Sequence, residues 1–346
     1  MAHLLSSCLT SLVVLFALSP SIAAPVVSEY EMLRSLPAET FAPLLAAQGE
    51  PDANGLVGYH RQQGQWYQAG MQRGGCWYLI GGVVAGDLAR VEKAWTSIDA
   101  TFARQVADGG FLSVKKPYDK ELQTFDDRVE TTYFYLQELG HAILVLKQSP
   151  FEPVFRERIE ALKPKTRRAV DFVHSGYDGI VRKVGHTANR LLIAAKAFGL
   201  CGVWLDEPRD REAARKLVAV ALTLRDADGV FVERGGRDSS YNAVSLLMAQ
   251  VLALHLPDLP IAEAMQKAMA WQRTRIRPTG EVEIGGNTRT GLGQEKSRGE
   301  GIKKVNYREV ALALCYYGLV HADPTAIDLA AKVAAWRERG EVSRLP

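Results

Sequence analysis

The feature that most constrains this chain is the rhythm of its connections. Apolar residues recur with helical period over residues 29–48, 77–106, 126–147, 153–174, 187–205, 209–224, 241–256, 261–275, 307–320 and 325–339. Short links (148–152, 206–208, 257–260, 321–324) alternate with long ones (107–125, 175–186, 225–240, 276–306). Two helices joined by a short link fold back as an antiparallel hairpin, so strict alternation gathers every long loop at one end. The lengths vary too much for a regular solenoid. The expected fold is therefore all-α: about ten helices paired into an incomplete (α/α)5-6 toroid of helical hairpins, with the long loops on one rim. Only Glu281-Val-Glu-Ile284 reads as a strand, inside a loop. Long Gly-rich loops on a rigid scaffold are where a binding cleft belongs.

At 346 residues, with 47% hydrophobic and 23% charged side chains, the chain can bury a large core. Its net charge of +3, with no basic run, excludes nucleic acid as the expected partner. Residues 1–24 read as a signal peptide. Leu9 to Leu18 form an apolar run too short to span a bilayer, and Ser21-Ile-Ala23 supplies small residues for cleavage. Cys8, in Leu5-Ser-Ser-Cys8, precedes that run, so it is not read as a lipid anchor. The expectation is a monomeric, periplasmic or secreted single domain over 25–346, without stable membrane insertion. Cys76, Cys201 and Cys315 lie in apolar helical contexts, where a thiol behaves as a small hydrophobe. Their wide spacing gives no metal pattern, and neither metal nor cofactor is expected.

The loop from Asp226 to Asn242 is the richest in chemistry. Asp238 or Ser239 can cap the following helix, which sets Tyr241 and Asn242 in its first turn. Other long loops end in comparable polar openings: Asp126-Asp-Arg128, His186-Thr-Ala-Asn189-Arg190 and Asn306-Tyr307-Arg308-Glu309. His186, Asn189 and Arg190 share one helical face. Singly, each opening is explained by capping and solvated charge; together on one rim they would form a site for an anion. Asp226, Asp228, Glu233 and Asp238, faced by Glu295, Glu300 or Glu309, offer the carboxylate pair that glycoside hydrolysis needs. Trp66, Tyr67, Trp77 and Tyr78 read either as sugar-stacking platforms or as core. Residues 277–304, carrying Arg277, Arg289, Lys296, Arg298, Lys303 and Lys304, read as a flap over a polyanion or as a solvated loop. His141, His255 and His321, within or at the ends of apolar helices, read as structural. Asp226-Ala-Asp-Gly begins like a calcium loop, but Val230 breaks the pattern.

The segments His186-Thr-Ala-Asn-Arg-Leu-Leu-Ile-Ala-Ala and Asp-Gly-Val-Phe…Gly-Gly-Arg-Asp-Ser-Ser-Tyr241 resemble the helical domain of the (α/α)-toroid polysaccharide lyases. That group includes alginate lyases and heparinase II/III-like enzymes. The resemblance covers these two segments in sequence and roughly residues 70–340 in architecture. Many heparinase-like members add a β-sandwich, so the compact alginate-lyase form is the expected one. The resemblance implies β-elimination on a uronic-acid polysaccharide, an anionic substrate. Tyr241 would be the acid/base and His186 the base or carboxylate neutraliser, with Asn189 and Arg190 as neutralising donors. Arg237, Asp238, Asn242, Tyr307, Arg308 and Arg128 would contact substrate. The alternatives are a hydrolase on the same toroid and a non-catalytic periplasmic carbohydrate-binding protein.

Overall fold

The computed structural model describes residues 28–46, 50–57, 68–111, 124–291, 296–297 and 301–342. The signal-peptide reading, Trp66 and Tyr67 lie outside them, as do the side chains of Glu295, Lys296, Arg298 and Glu300. The described residues are all-α. The helices are α1 (Glu29–Arg34), α2 (Ala38–Leu45), α3 (Arg73–Ala85), α4 (Leu88–Phe102), α5 (Phe125–Lys147), α6 (Glu152–Ser175) and α7 (Tyr177–Val184). They continue with α8 (Ala188–Trp204), α9 (Pro208–Thr223), α10 (Ser239–His255), α11 (Ala262–Thr274), α12 (Tyr307–Val320) and α13 (Pro324–Val342). A two-residue antiparallel pair, β1 (Lys296–Ser297) with β2 (Gly301–Ile302), completes the regular structure.

Two differences from the sequence reading have local causes. The run 77–106 is two helices: Gly86 takes a left-handed conformation (φ 70°) that ends α3, and Asp87 caps α4 by accepting from the Arg90 amide at 3.0 Å. The loop 175–186 holds a helix of its own, α7.

Helices α8, α10 and α12 are apolar around most of their circumference, the signature of an inner position. In chain order α3, α5, α8, α10 and α12 each touch the next, backed by α4, α6, α9, α11 and α13 respectively. Helix α2 touches α3 on one side and α12 and α13 on the other. No helix among the described residues is long and apolar enough to cross a membrane. Cys76, Cys201 and Cys315 are buried free thiols, and burial pushes all three upward in pKa.

One turn recurs four times. In Asp52–Leu56, Val106–Gly110, Asp226–Val230 and Arg277–Glu281 the first amide donates to the fifth carbonyl, and the fourth residue is a left-handed glycine. Each follows α2, α4, α9 or α11 and seats that glycine against the next backing helix. A methyl group at Gly280 would fall 2.1 Å from the Lys332 carbonyl oxygen, so a side chain is excluded there by space as well as by φ.

Inside the inner row lies a buried ionic network. Glu29 Oε1 is 2.6 Å from His141 Nε2 and accepts the Tyr316 hydroxyl at 2.6 Å, while Oε2 is 2.7 Å from His255 Nε2. Glu138 Oε2 is 2.8 Å from Lys196 Nζ and 3.2 Å from His141 Nδ1. Both ring nitrogens of His141 thus face carboxylates, the arrangement of an imidazolium. For three of these groups burial opposes the charge but mutual pairing outweighs it: Glu29 and Glu138 are held below the usual carboxylate range, and His141 is raised.

Candidate functional site

The cluster that forms at the start of α10 is built by Asp238. Its Oδ1 caps the helix, accepting from the amides of Ser240 (3.0 Å) and Tyr241 (3.1 Å) and from the Thr290 hydroxyl (3.0 Å). Its Oδ2 accepts the amides of Arg289 (3.0 Å) and Thr290 (2.7 Å). One buried carboxylate therefore fixes both the beginning of α10 and the loop that follows α11. Further stitches join the same two loops. Thr288 Oγ1 donates to the Glu233 carbonyl at 2.8 Å, and the Ser239 amide donates to Asn287 Oδ1 at 2.9 Å. A bridge between Thr187 and Glu233 brings in the loop before α8. The Asn306 amide bonds Ser240 Oγ at 3.0 Å, and the Gly291 amide bonds the Lys303 carbonyl at 2.9 Å. Three of the long loops thus meet around one helix start.

At that meeting point two cations lie over the half-buried Tyr241 ring. Arg289 is 4.2 Å and Lys303 4.5 Å from its centroid. No described residue hydrogen-bonds the Tyr241 hydroxyl. Arg289 is also paired with the buried Glu233. Burial pushes the Glu233 carboxyl up by more than Arg289 pulls it down, and burial lowers Lys303 while Glu233 and Asp238 partly offset the effect. Arg234 and Gly235 are both left-handed (φ 53° and 82°), the geometry of a primed hairpin turn, which strains Arg234 and holds it exposed beside Glu233.

Comparison with protein-family models and with curated proteins finds no match to this chain. The site is therefore read from its own geometry.

The other residues that the sequence pointed to divide into three groups. His186 is exposed immediately before Thr187 and makes no hydrogen bond among the described residues. Arg190 is half-exposed, donates to Glu130 Oε1 at 2.6 Å, and lies 4.9 Å over Phe134. It sits one turn after Thr187, the residue that bridges to Glu233. Asn189 sits below the surface, 3% exposed, with its Oδ1 unpartnered.

A second group is committed to the protein itself. Arg237 pairs with Asp226 at 2.5 Å and with Asp228, bracing its own loop. Asp226 Oδ1 also accepts the amides of Asp228 and Val230, an Asx-type turn in place of a calcium loop. Asn242 is fully buried, accepting the Phe231 amide and donating to Gln272 at 2.9 Å. Asp238 is fully buried as the cap already described.

A third group is held by other parts of the fold. Arg128 donates to both oxygens of Asp108 at 2.6 and 2.7 Å and covers Phe172. Arg308 donates to the Leu44 carbonyl at 2.8 Å and lies 4.3 Å over Trp77, where burial lowers its guanidinium to about 10. The Tyr307 hydroxyl accepts the Val282 amide at 3.5 Å, supporting the loop after α11. Trp77 is buried core, whereas Tyr78 carries Arg90 at 4.4 Å. His141 and His255 belong to the buried network, and His321 packs 4.3 Å from Tyr317. Among the described residues no three His, Cys, Asp or Glu side chains group as for a metal.

The sequence reading left Arg289, Lys303 and Glu233 unconnected to Tyr241. Their common signal is Asp238, whose two oxygens serve two loops far apart in the chain.

Proposed function

We propose that this protein is an exported polysaccharide lyase that cleaves a uronic-acid-containing polysaccharide by β-elimination, on an incomplete (α/α) toroid whose ring α2 closes. The observation that carries this reading is the Tyr241 ring with Arg289 and Lys303 over it and a hydroxyl that makes no hydrogen bond among the described residues. Nearby cations favour a phenolate, which lets a tyrosine accept a proton and later return it. In the reaction the C5–H bond breaks and its proton passes to the base. The C5 electron pair forms the C4=C5 double bond as the C4–O4 bond breaks, and O4 leaves with a proton from the acid. Tyr241 serves as the acid/base, and the exposed His186 as base or carboxylate neutraliser. Arg190, Lys303 and Arg289 supply the positive charge that makes the proton beside a carboxylate acidic enough to remove. Asn189, buried next to Arg190 in the chain, is the further neutralising donor of this reading.

Hydrolysis finds less support, because the loop carboxylates are already engaged. Asp226 and Asp228 hold Arg237, Asp238 caps α10, and Glu233 holds Arg289. The test is a panel of alginate, polyglucuronate, pectate and glycosaminoglycans. Elimination predicts rising ultraviolet absorbance from the unsaturated uronate with at least one polymer. New reducing ends without that absorbance would move the assignment to hydrolysis, and affinity without either product would make the protein a binder.

A further inference from the structure

One buried carboxylate has no step in the proposed elimination. Glu233, 1% exposed, pairs with Arg289, whose guanidinium lies 4.2 Å from the Tyr241 centroid. Its backbone is pinned from three directions. The Glu233 amide donates to the Gly236 carbonyl at 2.7 Å across the left-handed pair Arg234-Gly235, which reverses the chain. Its carbonyl accepts the Thr288 hydroxyl at 2.8 Å, and a bridge joins it to Thr187. The side chain therefore starts from a fixed point and ends on Arg289, whose own amide is held by Asp238 at 3.0 Å. None of these backbone bonds needs a carboxylate at position 233. A buried ion pair adds little net stability over well-packed apolar side chains. The charge is accounted for instead by what it does to Arg289.

We infer that Glu233 is a positioning residue: its carboxylate orients Arg289 over the Tyr241 ring and offsets one of the positive charges there, and so sets the pH at which the Tyr241 hydroxyl gives up its proton. The catalytic consequence rests on the lyase reading, whereas the effect on Tyr241 rests on geometry alone. Two cations over a phenol ring favour the phenolate, and an anion behind one of them opposes it. The pairing is mutual, because burial works against the Glu233 charge and Arg289 works for it. The charged and titratable groups gathered at this rim come from three segments. Arg289 and Lys303 belong to the loop after α11, and Glu233, Arg234 and Asp238 to the loop before α10. His186 and Arg190 flank the bridge at Thr187. Asp238 is spent on five donors and Glu130 on Arg190, whereas Glu233 bears directly on Arg289.

The experiment is an ultraviolet titration of the phenolate, taken as the difference between wild type and Tyr241→Phe and repeated on the Glu233→Gln background. Glutamine keeps an oxygen for Arg289 and removes the charge. The Tyr241 midpoint should fall by about one pH unit, the effect of losing one neighbouring anion. On a polyuronate that the wild type cleaves, the acid limb of the elimination profile should move down by the same amount, which a merely structural role would not produce. Glu233→Ala, which removes the anchor as well as the charge, should lose the elimination that glutamine retains. An unchanged or raised Tyr241 midpoint in Glu233→Gln would overturn the inference, whether or not the alanine variant folds. So would a Tyr241 that titrates with the other tyrosines in both backgrounds. A lowered midpoint in a protein that eliminates no polyuronate would keep Glu233 in this role and remove the lyase. Elimination with an unmoved midpoint would keep the lyase and remove the inference.

Discussion

The protein concentrates charge in two places, and they use similar side chains to opposite ends. Around Glu29 every group is buried and every charge meets its complement: Glu29 takes His141, His255 and Tyr316, and Glu138 takes Lys196 and His141. Five helices, α1, α5, α8, α10 and α12, each contribute at least one member. Around Tyr241 the cluster reaches the surface. Arg289 and Lys303 lie over a ring whose hydroxyl makes no hydrogen bond among the described residues, and Arg190 is half-exposed. A saturated buried network fixes the position of the helices that enclose it. A cluster of cations that reaches the surface is where an anionic ligand can meet charges the fold has already gathered.

The largest effect that would sharpen this contrast is on stability. Lys196→Met leaves Glu138 buried with one cation fewer and should cost about 3–5 kcal/mol in chemical denaturation. Lys303→Met should leave the midpoint nearly unchanged while weakening oligouronate binding. Equal destabilisation by both would erase the distinction. Next is Asp238→Ala, which strips five donors of one acceptor residue; about 2–3 kcal/mol and lost order in the loop after α11 are expected, read by denaturation and hydrogen exchange.

The buried network also has a pH signature. His141 is raised on folding, so its contribution is full below the unfolded value of about 6.5 and is lost as pH rises through the folded value. Glu29 and Glu138 are depressed, so theirs is full above about 4.3 and is lost as pH falls through the folded values. The thermal midpoint should therefore be flat between those limits and decline above neutrality, and Glu29→Gln should flatten the alkaline decline. At Tyr241 the readout is activity. Lys303, lowered by burial, should end the active range below the ordinary lysine value of about 10.4, and Lys303→Arg should extend it. Smallest of all, Arg237→Ala should cost under about 1 kcal/mol, since its partners Asp226 and Asp228 are partly exposed.

Much of the helical layout was legible, because apolar periodicity survives in α5, α8, α10 and α12 whatever surrounds them. The break at Gly86-Asp87 was not, since the apolar phase runs on through two residues that only a left-handed C-cap reveals. The recurring turns were written as a glycine at the fourth position, but three residues of variable chemistry precede it and hide the repeat. At the site, Asp238 and Tyr241 were readable through capping, a local rule. The approach of Arg289 and Lys303 was not, because it depends on the second oxygen of Asp238 reaching a distant loop. Arg128, Arg237 and Arg308 look alike as residue types. Only the folded chain shows that Asp108, Asp226 with Asp228, and the Leu44 carbonyl already hold them.

The direct measurement is the ultraviolet time course on a polyuronate, wild type beside Tyr241→Phe, with the thermal midpoint of each recorded. The expected result is a rise with the wild type, a rate lower by about 10²–10⁴ or more in the variant, and equal midpoints. A wild type inert on every polyuronate, or a variant that eliminates as fast as the wild type, would contradict it.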